Sequence, residues 1–286
     1  MRRLLAAGIA LAAFAAPVAA QQRQAQTTTT TTTWTGPQIG GFSGFSTLGG
    51  SFSEPGAHFC ASGFAAICPE VPFSISGGSP TVATGGGFIG YNVAWGMYLV
   101  GIEADIAGKS GGTSSTQGNT HPVLFGSTTE TFTGSLHQGW DASVRGRFGV
   151  PINYSRTLIY ATAGVAFGHV GGSFGYAASF TPSVACLAPL PGPATLCPPL
   201  SGGGAQNWSD TRTGYTVGAG AEWAYFRNVK LRVEYRYTDF GSFSKDVPLA
   251  LTAGTCTIPG CVPTGNAHID MRAYFHTVRF GIGFGL

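Results

Sequence analysis

Segments of about ten residues in which apolar and polar side chains strictly alternate constrain this sequence more than any other feature. The pattern is clearest at 98–107, 140–150, 230–237 and 277–286. In 230–237, for example, Lys, Arg, Glu and Arg alternate with Leu, Val, Tyr and Tyr. A helix would scatter these charges around its surface, whereas a strand places them all on one face. The pattern therefore predicts β-strands with one charged and one apolar face.

The alternating segments are joined by connections that are short and long in turn. We predict eight strands, at 37–48, 83–94, 97–109, 132–150, 157–170, 211–226, 229–241 and 272–286. The short connections are 95–96, 151–156 and 227–228, and the long ones are about 50–82, 110–131, 171–210 and 242–271. Tight turns at one end and long external loops at the other are typical of outer-membrane barrels. The sequence thus predicts an all-β fold, an eight-stranded antiparallel up-and-down transmembrane β-barrel with long extracellular loops.

The composition favours a surface that faces lipid. Charged residues make up only 9% of the chain, against about 25% in soluble domains. The alternative is a secreted β-sandwich or lipocalin-like barrel, which would expose its charged face to water. So few charges make that alternative less favourable. The formal net charge is only +3, and no basic face is present that would attract nucleic acid.

The N-terminus carries the features of an export signal. Arg2 and Arg3 precede the apolar run Leu4–Ala16, and Val18-Ala19-Ala20 offers small residues at a cleavage site. We predict a signal peptide at 1–20, a flexible Thr-rich leader at 21–33 and the barrel at 34–286. An even number of strands would place both termini of the mature chain in the periplasm, with the barrel in the outer membrane.

The charged strand faces must point into the barrel, because lipid offers them no partners. We expect an interior ion-pair network formed by Glu103, Asp105, Arg145, Arg147, Glu222, Arg232, Glu234, Arg236 and Arg279. Glycines on the same faces would make room for these large side chains. The network has two interpretations: a lock in which every charge is paired, or the lining of a narrow selective pore. Eight-stranded walls favour the lock.

Aromatic residues near the strand ends predict girdles at the two membrane–water interfaces. These residues are Trp34, Trp95, Trp140, Trp223, Tyr225 and Phe226, and we place His276 at an interface as well.

The cysteines fall into three close pairs within the long connections. We predict loop disulfides between Cys60 and Cys68, Cys186 and Cys197, and Cys256 and Cys261, although six cysteines allow 15 pairings in principle. An exported chain passes through an oxidising compartment. Zinc would require Cys-x-x-Cys spacing or adjacent histidines, and neither occurs. We therefore predict no metal and no cofactor.

The histidines give little basis for catalysis. They form no zinc-protease motif, and a triad of Ser173, His169 and Asp210 near one rim is the one serine-hydrolase arrangement that we considered. Because triads are defined by geometry, and serines are abundant here, the sequence predicts no enzyme.

Several strand motifs, in their order along the chain, resemble one known family. They are the Trp34-Thr35-Gly36 opening, Val144-Arg145-Gly146-Arg147-Phe148-Gly149, Tyr160–Gly168, Gly214–Glu222, Leu231–Gly241 and His276–Gly281. Together they resemble the small outer-membrane porin-like, or outer-membrane immunogenic, proteins of alpha-proteobacteria. The resemblance implies an eight-stranded barrel of the opacity type.

Three functions then stand as hypotheses. The first is a structural, surface-exposed barrel of the envelope. The second is a narrow porin-like channel for small solutes. The third is a loop-mediated adhesin or ligand binder, since the resemblance extends to relatives that bind haem or host-cell surfaces. The expected partners are outer-membrane lipid and the outer-membrane assembly machinery, with an unknown extracellular ligand under the third hypothesis.

Overall fold

A computed structural model describes residues 34–54, 73–76, 81–123, 126–152, 156–182, 200–226, 228–253 and 264–286. The described residues form ten strands: β1 (Gly36–Glu54), β2 (Phe73–Ser76), β3 (Thr81–Trp95), β4 (Tyr98–Ser110), β5 (Gly112–Val123), β6 (Gly126–Ile152), β7 (Thr157–Pro182), β8 (Leu200–Ala224), β9 (Val229–Ala253) and β10 (Thr264–Gly285). No helix in these ranges is long and apolar enough to cross a membrane.

Eight of these strands close into a ring. Their order is β10-β9-β8-β7-β6-β4-β3-β1, and β1 pairs back onto β10. All of the pairings are antiparallel, and the closing pair runs from Gln38 opposite Gly285 to Ser53 opposite Asp270. The predicted all-β antiparallel barrel is confirmed. We call the half of the ring that holds Gly36 and Gly285 the lower half, and the other half the upper half.

The strands run further into the upper half than the sequence predicted. β7 continues to Pro182, β8 begins at Leu200, β9 continues to Ala253 and β10 begins at Thr264. Much of the predicted long connections at 171–210 and 242–271 is therefore strand and not loop. Their Gly-, Ser- and Thr-rich composition suggested loops, but antiparallel ladders with neighbouring strands hold these residues in the sheet.

The predicted connection at 110–131 is also largely sheet. β4 pairs with β6 up to Gly108 opposite Trp140, and β5 resumes the pairing at Gly112 opposite His137. Between them lies Gly111, whose φ of 135° interrupts the strand in a conformation that a residue with a side chain would rarely adopt. β5 is thus the upward continuation of β4. Similarly, β2 pairs with the upper end of β1.

The outer surface of the lower half is apolar, as a membrane-spanning band requires. Ile89, Ile102, Ile106 and Phe280 are all more than half exposed. The aromatic residues predicted for the girdles have exposed side chains, apart from Trp34, which is 5% exposed. That prediction was wrong for Trp34.

Trp34 instead belongs to an apolar cluster inside the lower end of the barrel. Leu99, Leu158 and Tyr160 complete the buried part of this cluster, and the Lys230 ammonium lies 4.9 Å from the centre of the indole ring. Burial of the ring and the cation–π contact both favour this inward position.

The polarity of the two faces reverses in the upper half. On β10 the odd-numbered residues face inward throughout, but they change from Arg279 and Thr277 below to Met271, Ile269 and Ala267 above. A second apolar core fills the upper half, formed by Leu48, Phe132, Leu136, Ala166, Val170, Phe174, Tyr176, Trp208, Phe240, Phe243, Val247, Leu249, Ala267, Ile269, Met271, Ala273 and Phe275. Strands β6 to β10, which supply most of this core, thus pass from a lipid-facing to a water-facing pattern.

β9 makes this change through a β-bulge. Its inward residues are even-numbered up to Thr238 and odd-numbered from Phe243 upward, and the β9–β10 register shifts between Arg272 and Tyr274. Gly241 adopts a φ of 76°, and its backbone N–H donates to Asp239 Oδ1 at 2.7 Å. A glycine in the left-handed conformation is typical of the G1 class of β-bulge.

The bulge gives a first prediction. Gly241→Ala should lower the free energy of unfolding by about 1–2 kcal/mol, because a Cβ disfavours the left-handed conformation. Urea unfolding of the refolded barrel in lipid vesicles, followed by tryptophan fluorescence, measures this. Gly108→Ala is the matched control, since a Cβ there would find its nearest atom 4.0 Å away. Equal stability of the two variants would contradict the role of Gly241.

Candidate functional site

The inward-facing charges of the lower half form the candidate site. All of the predicted interior charges are at most 7% exposed. They come from β4, β6, β8, β9 and β10, so that side chains distant in sequence meet across the barrel. The alternation places them there because every second residue of a strand points to the same face.

Arg145 lies at the centre of this network. Its Nη2 is 2.5 Å from Glu103 Oε1 and 2.8 Å from Asp105 Oδ2, and its Nη1 is 2.6 Å from Glu234 Oε1. The carboxylates belong to β4 and β9, whereas Arg145 belongs to β6. β4 is the neighbour of β6 in the ring, whereas β9 is separated from β6 by two strands, so the contact between Arg145 and Glu234 spans the interior.

Arg232 links the same carboxylates through a tyrosine. Its Nη1 is 2.7 Å from Glu103 Oε2, and its Nε donates to Tyr160 Oη at 2.6 Å. The Tyr160 hydroxyl in turn donates to Glu234 Oε2 at 2.9 Å. Arg232 also pairs directly with Glu234. The phenol thus forms hydrogen bonds to a carboxylate and to a guanidinium at the same time.

Further pairs extend the network toward both ends of the barrel. Below, Arg147 Nη2 is 2.7 Å from Glu222 Oε1. Above, Arg236 Nη1 is 3.0 Å from Asp105 Oδ1, and Arg236 also pairs with Asp141. Arg279 pairs with Glu234 and lies 3.4 Å from Asp105.

The network also contains Lys109, Asp141 and Tyr160, which were not among the predicted interior residues. Lys109 Nζ is 3.3 Å from Asp141 Oδ1 and donates to Gln138 Oε1 at 2.7 Å. It also lies 4.3 Å from the centre of the Phe275 ring, where the network meets the upper apolar core. The signal was present, since Asp141 and Lys109 lie on the same period-2 faces as Arg145 and Asp105.

Glycines opposite the large interior side chains leave space for them. A Cβ on Gly220 would lie 2.5 Å from the Tyr160 hydroxyl, and one on Gly168 would lie 2.4 Å from the Phe240 ring. Real Cβ contacts are longer, so these positions accept only glycine without displacement of the aromatic ring.

Other candidate groups are not brought together. His169 Nε2 contacts the Ser209 hydroxyl at 2.8 Å, Ser173 contacts Ser135 at 2.7 Å, and Asp210 pairs with Arg212 and Lys245. The triad considered from the sequence is therefore not assembled. Among the residues that the structure describes, no group of three or more His, Cys, Asp and Glu could hold a metal ion.

Some predictions fall on parts of the chain outside the described ranges. They are the signal peptide at 1–20, the leader at 21–33 and the disulfides of Cys60, Cys68, Cys186, Cys197, Cys256 and Cys261. These stay predictions.

A closed ring with an apolar outer band and a charged interior agrees with what a family comparison finds. Residues 6–284 match the family described as outer membrane protein beta-barrel domain. The chain belongs to this family. Its resemblance to the alpha-proteobacterial outer-membrane immunogenic proteins, and its predicted outer-membrane location, are thereby confirmed together with the relatives below.

Two relatives of the chain are also described as outer-membrane proteins. The 31 kDa outer-membrane immunogenic protein of Brucella melitensis is 27% identical over 266 residues, which cover 88% of this chain and 83% of the relative. The 22 kDa outer membrane protein of Rhizobium leguminosarum bv. viciae is 32% identical over 160 residues, which cover 56% of this chain and 54% of the relative.

Among solved structures, Ail of Yersinia pestis, the attachment invasion locus protein, is 11% identical with a TM-score of 0.29. The similarity covers 85% of this chain and 99% of Ail. A TM-score this low supports no inference about ligand or activity.

The interior pairs of this outer-membrane barrel should be essential to its stability. Glu234→Gln should lower the free energy of unfolding by about 3–5 kcal/mol, because loss of one partner leaves buried guanidinium groups uncompensated. Asp270→Asn, an exposed carboxylate on the upper outer surface, should change it by less than about 1 kcal/mol. Both are measured as shifts of the urea midpoint. A Glu234→Gln barrel as stable as the control would contradict this role.

The upper outer surface also carries a titratable pair above the membrane band. His268 Nδ1 lies 2.7 Å from Asp246 Oδ1, and this hydrogen bond raises the pKa of His268 above its ordinary value. The His268–Asp246 pair therefore contributes folding stability that is fully present below the ordinary histidine pKa. This contribution is lost as the pH rises through the raised pKa. We expect an NMR titration to give a His268 pKa above about 6.5 and Asp246→Asn to lower it. An unchanged pKa in the variant would disprove the coupling.

Proposed function

We propose that the protein is a closed structural barrel of the outer membrane that does not conduct solutes. The proposal rests above all on Arg145, whose guanidinium bridges carboxylates of β4 and β9 across the interior. A side chain held in this way occupies the path that a solute would take. Buried charges that are each paired need no water-filled lumen to solvate them.

The porin-like alternative would use the same charges as a selectivity lining. Its support is only that the interior is charged, and the full burial of Arg145 and Arg236 favours the closed barrel. An interior of eight strands is just wide enough for side chains to fill it.

A second candidate function is recognition at the cell surface. The upper half favours it, because its strands place polar residues outward on a sheet supported by an apolar core. Recognition usually lies on segments that a rigid scaffold presents. Under either function we propose no enzymatic activity and no nucleic-acid partner, with outer-membrane lipid and the assembly machinery as partners.

Conductance tests the proposal directly. The refolded mature protein in a planar bilayer should give no stable discrete current in salt, because the interior side chains block the path. The double variant Glu103→Ala/Arg145→Ala removes two paired side chains of the lower half and should also give no current, because the apolar core still fills the upper half. Heat-modifiable gel migration verifies that each protein is folded.

The control is the double variant Asp246→Asn/His268→Gln, which changes two paired residues on the outer surface. It should give no more current than the unaltered protein. Discrete currents from the unaltered protein would overturn the closed barrel and favour the channel. Discrete currents from the folded double variant alone would show that the charge network, and not the upper apolar core, closes the barrel.

A further inference from the structure

Polar and charged side chains line the interior at one level near the lower end of the barrel. Each is the first or second inward residue from the lower end of its strand, and each is at most 4% exposed. We call them the lower polar ring: Gln38 on β1, Asn92 on β3, Arg147 on β6, Tyr160 on β7, Glu222 on β8 and Lys230 on β9. Leu99 and Leu158, of the apolar cluster around Trp34, lie one inward position further down.

Glycines let these side chains approach one another along the wall. Lys230 Nζ lies 3.7 Å from the position of a Cβ on Gly285, and Gly285 is the partner of Gln38 in the sheet. The Gln38 side chain leans over Gly90 in turn, with its Nε2 3.0 Å from the position of a Cβ there. Gly90 precedes Asn92 by two residues and shares its inward face. Lys230, Gln38 and Asn92 therefore follow one another around the wall.

Asn92 and Arg147 approach each other in the same way. Gly101 pairs with Asn92 on one side and with Arg147 on the other, and a Cβ on Gly101 would overlap Asn92 Oδ1. Beyond Arg147, its guanidinium lies 3.9 Å from the centre of the Tyr160 ring. The interior of eight strands is just wide enough for side chains to fill it. Polar groups of one level are therefore within reach of a single small ligand.

Most of the polar nitrogens of this ring have no hydrogen-bond acceptor. Gln38 Nε2, both amide atoms of Asn92 and the three guanidinium nitrogens of Arg147 are buried without a hydrogen-bond partner among the described residues. Arg147 Nη2 lies 2.7 Å from Glu222 Oε1, so the two pair by charge although the N–H bonds are not aligned with the carboxylate. Buried polar groups of native proteins nearly always have a partner. The ring therefore indicates a ligand that accepts hydrogen bonds.

The charge balance of the interior favours an anion as this ligand. Among the described residues, the lower interior buries seven cations: Lys109, Arg145, Arg147, Lys230, Arg232, Arg236 and Arg279. It buries five carboxylates: Glu103, Asp105, Asp141, Glu222 and Glu234. Two other buried carboxylates lie elsewhere, since Asp239 pairs with the exposed Arg272 and Glu130 belongs to the upper half. The interior thus has two positive charges in excess.

Part of this excess lies in the lower polar ring itself. Arg147 and Lys230 face one carboxylate there, Glu222. Lys230 takes part in no ion pair among the residues that the structure describes, and its ammonium lies 4.9 Å from the centre of the Trp34 ring. Water could pair with the amides, but it would leave the buried charge uncompensated, which is unfavourable. A monovalent anion supplies both the acceptor and the charge.

We propose that the lower polar ring binds a chloride ion inside the barrel. Lys230 Nζ, Gln38 Nε2 and Asn92 Nδ2 donate to it, and Arg147 is the second cation beside it. A monatomic ion suits an interior that side chains fill. The ion acts as a structural ligand that completes the charge compensation at this end. The inference goes beyond the proposed function, because a conducting barrel with the same ring would bind the anion as well.

Bromide locates the ion directly, because it replaces chloride and scatters anomalously. Crystals of the refolded protein grown in sodium bromide are measured at the bromine absorption edge. We expect an anomalous peak inside the lower half, within hydrogen-bond distance of Lys230 Nζ and of the side-chain amides of Gln38 and Asn92. A map with no peak at this level of the interior would overturn the site.

Stability in solution tests the same site through mass action, since a ligand that binds only the folded state raises stability with its concentration. The urea midpoint is measured while chloride replaces gluconate at constant ionic strength. We expect the midpoint of the unaltered protein to rise with chloride, and Lys230→Gln to abolish this rise. Lys245→Gln makes the same charge change in the upper half, where Lys245 is partly exposed, and should keep the rise.

Gln38→Glu gives the opposite kind of variant, because its carboxylate takes the place of the anion. Its urea midpoint should not depend on chloride, and without chloride it should be at least as high as that of the unaltered protein. This variant keeps the test valid even where Lys230→Gln does not fold, and gel migration reports folding in each case. The proposal is wrong if chloride and gluconate act alike on the unaltered protein, or if the chloride-dependent rise persists in Gln38→Glu.

Discussion

The barrel depends on the mutual compensation of buried charges in its lower half. A strand that presents apolar residues to lipid must turn its alternate residues inward, and here those residues are charged. Glu103, Arg145 and Glu234 can be buried together only because each contacts more than one opposite charge. Without these pairs the desolvation cost would oppose closure of the ring, and an open sheet has no place in lipid.

In the upper half the same strands have the opposite arrangement of polar and apolar faces. Above the membrane band the outer face meets water and the inner face is apolar, as in a soluble barrel. On β10 this requires no change of phase, since the inward residues only change from Arg279 to Met271. Lys109 lies at the junction, with Asp141 on its charged side and the Phe275 ring on its apolar side. One continuous interior therefore joins a polar and an apolar core.

Much of this could be predicted from the sequence, because a period of two assigns each residue to a face without knowledge of its partners. The ring of eight strands and the inward charges follow from that rule. The pairing of Arg145 with Glu234 does not, since it depends on the register of the strands that separate them around the ring.

The extent of the strands was also missed. On β10 the alternation continues upward through Ile269 and His268 with its polarity reversed, whereas the pattern used for prediction, a charged face opposite an apolar one, ends below this point. Trp34 was misplaced for a different reason, because proximity to a strand end does not say on which side of the wall a side chain lies.

The bulge in β9 follows from the reversal of polarity. β9 enters the upper half with its even-numbered residues inward, and its apolar upper residues, such as Val247 and Leu249, are odd-numbered. Only an inserted residue can turn them inward, and the bulge at Gly241 supplies it. Above this bulge β8 and β9 are not paired between Tyr215 opposite Asp239 and Gly203 opposite Ala250, and the Lys245–Asp210 ion pair connects the two strands there. A requirement of folding, the burial of Val247 and Leu249, thus accounts for a left-handed glycine in the middle of β9.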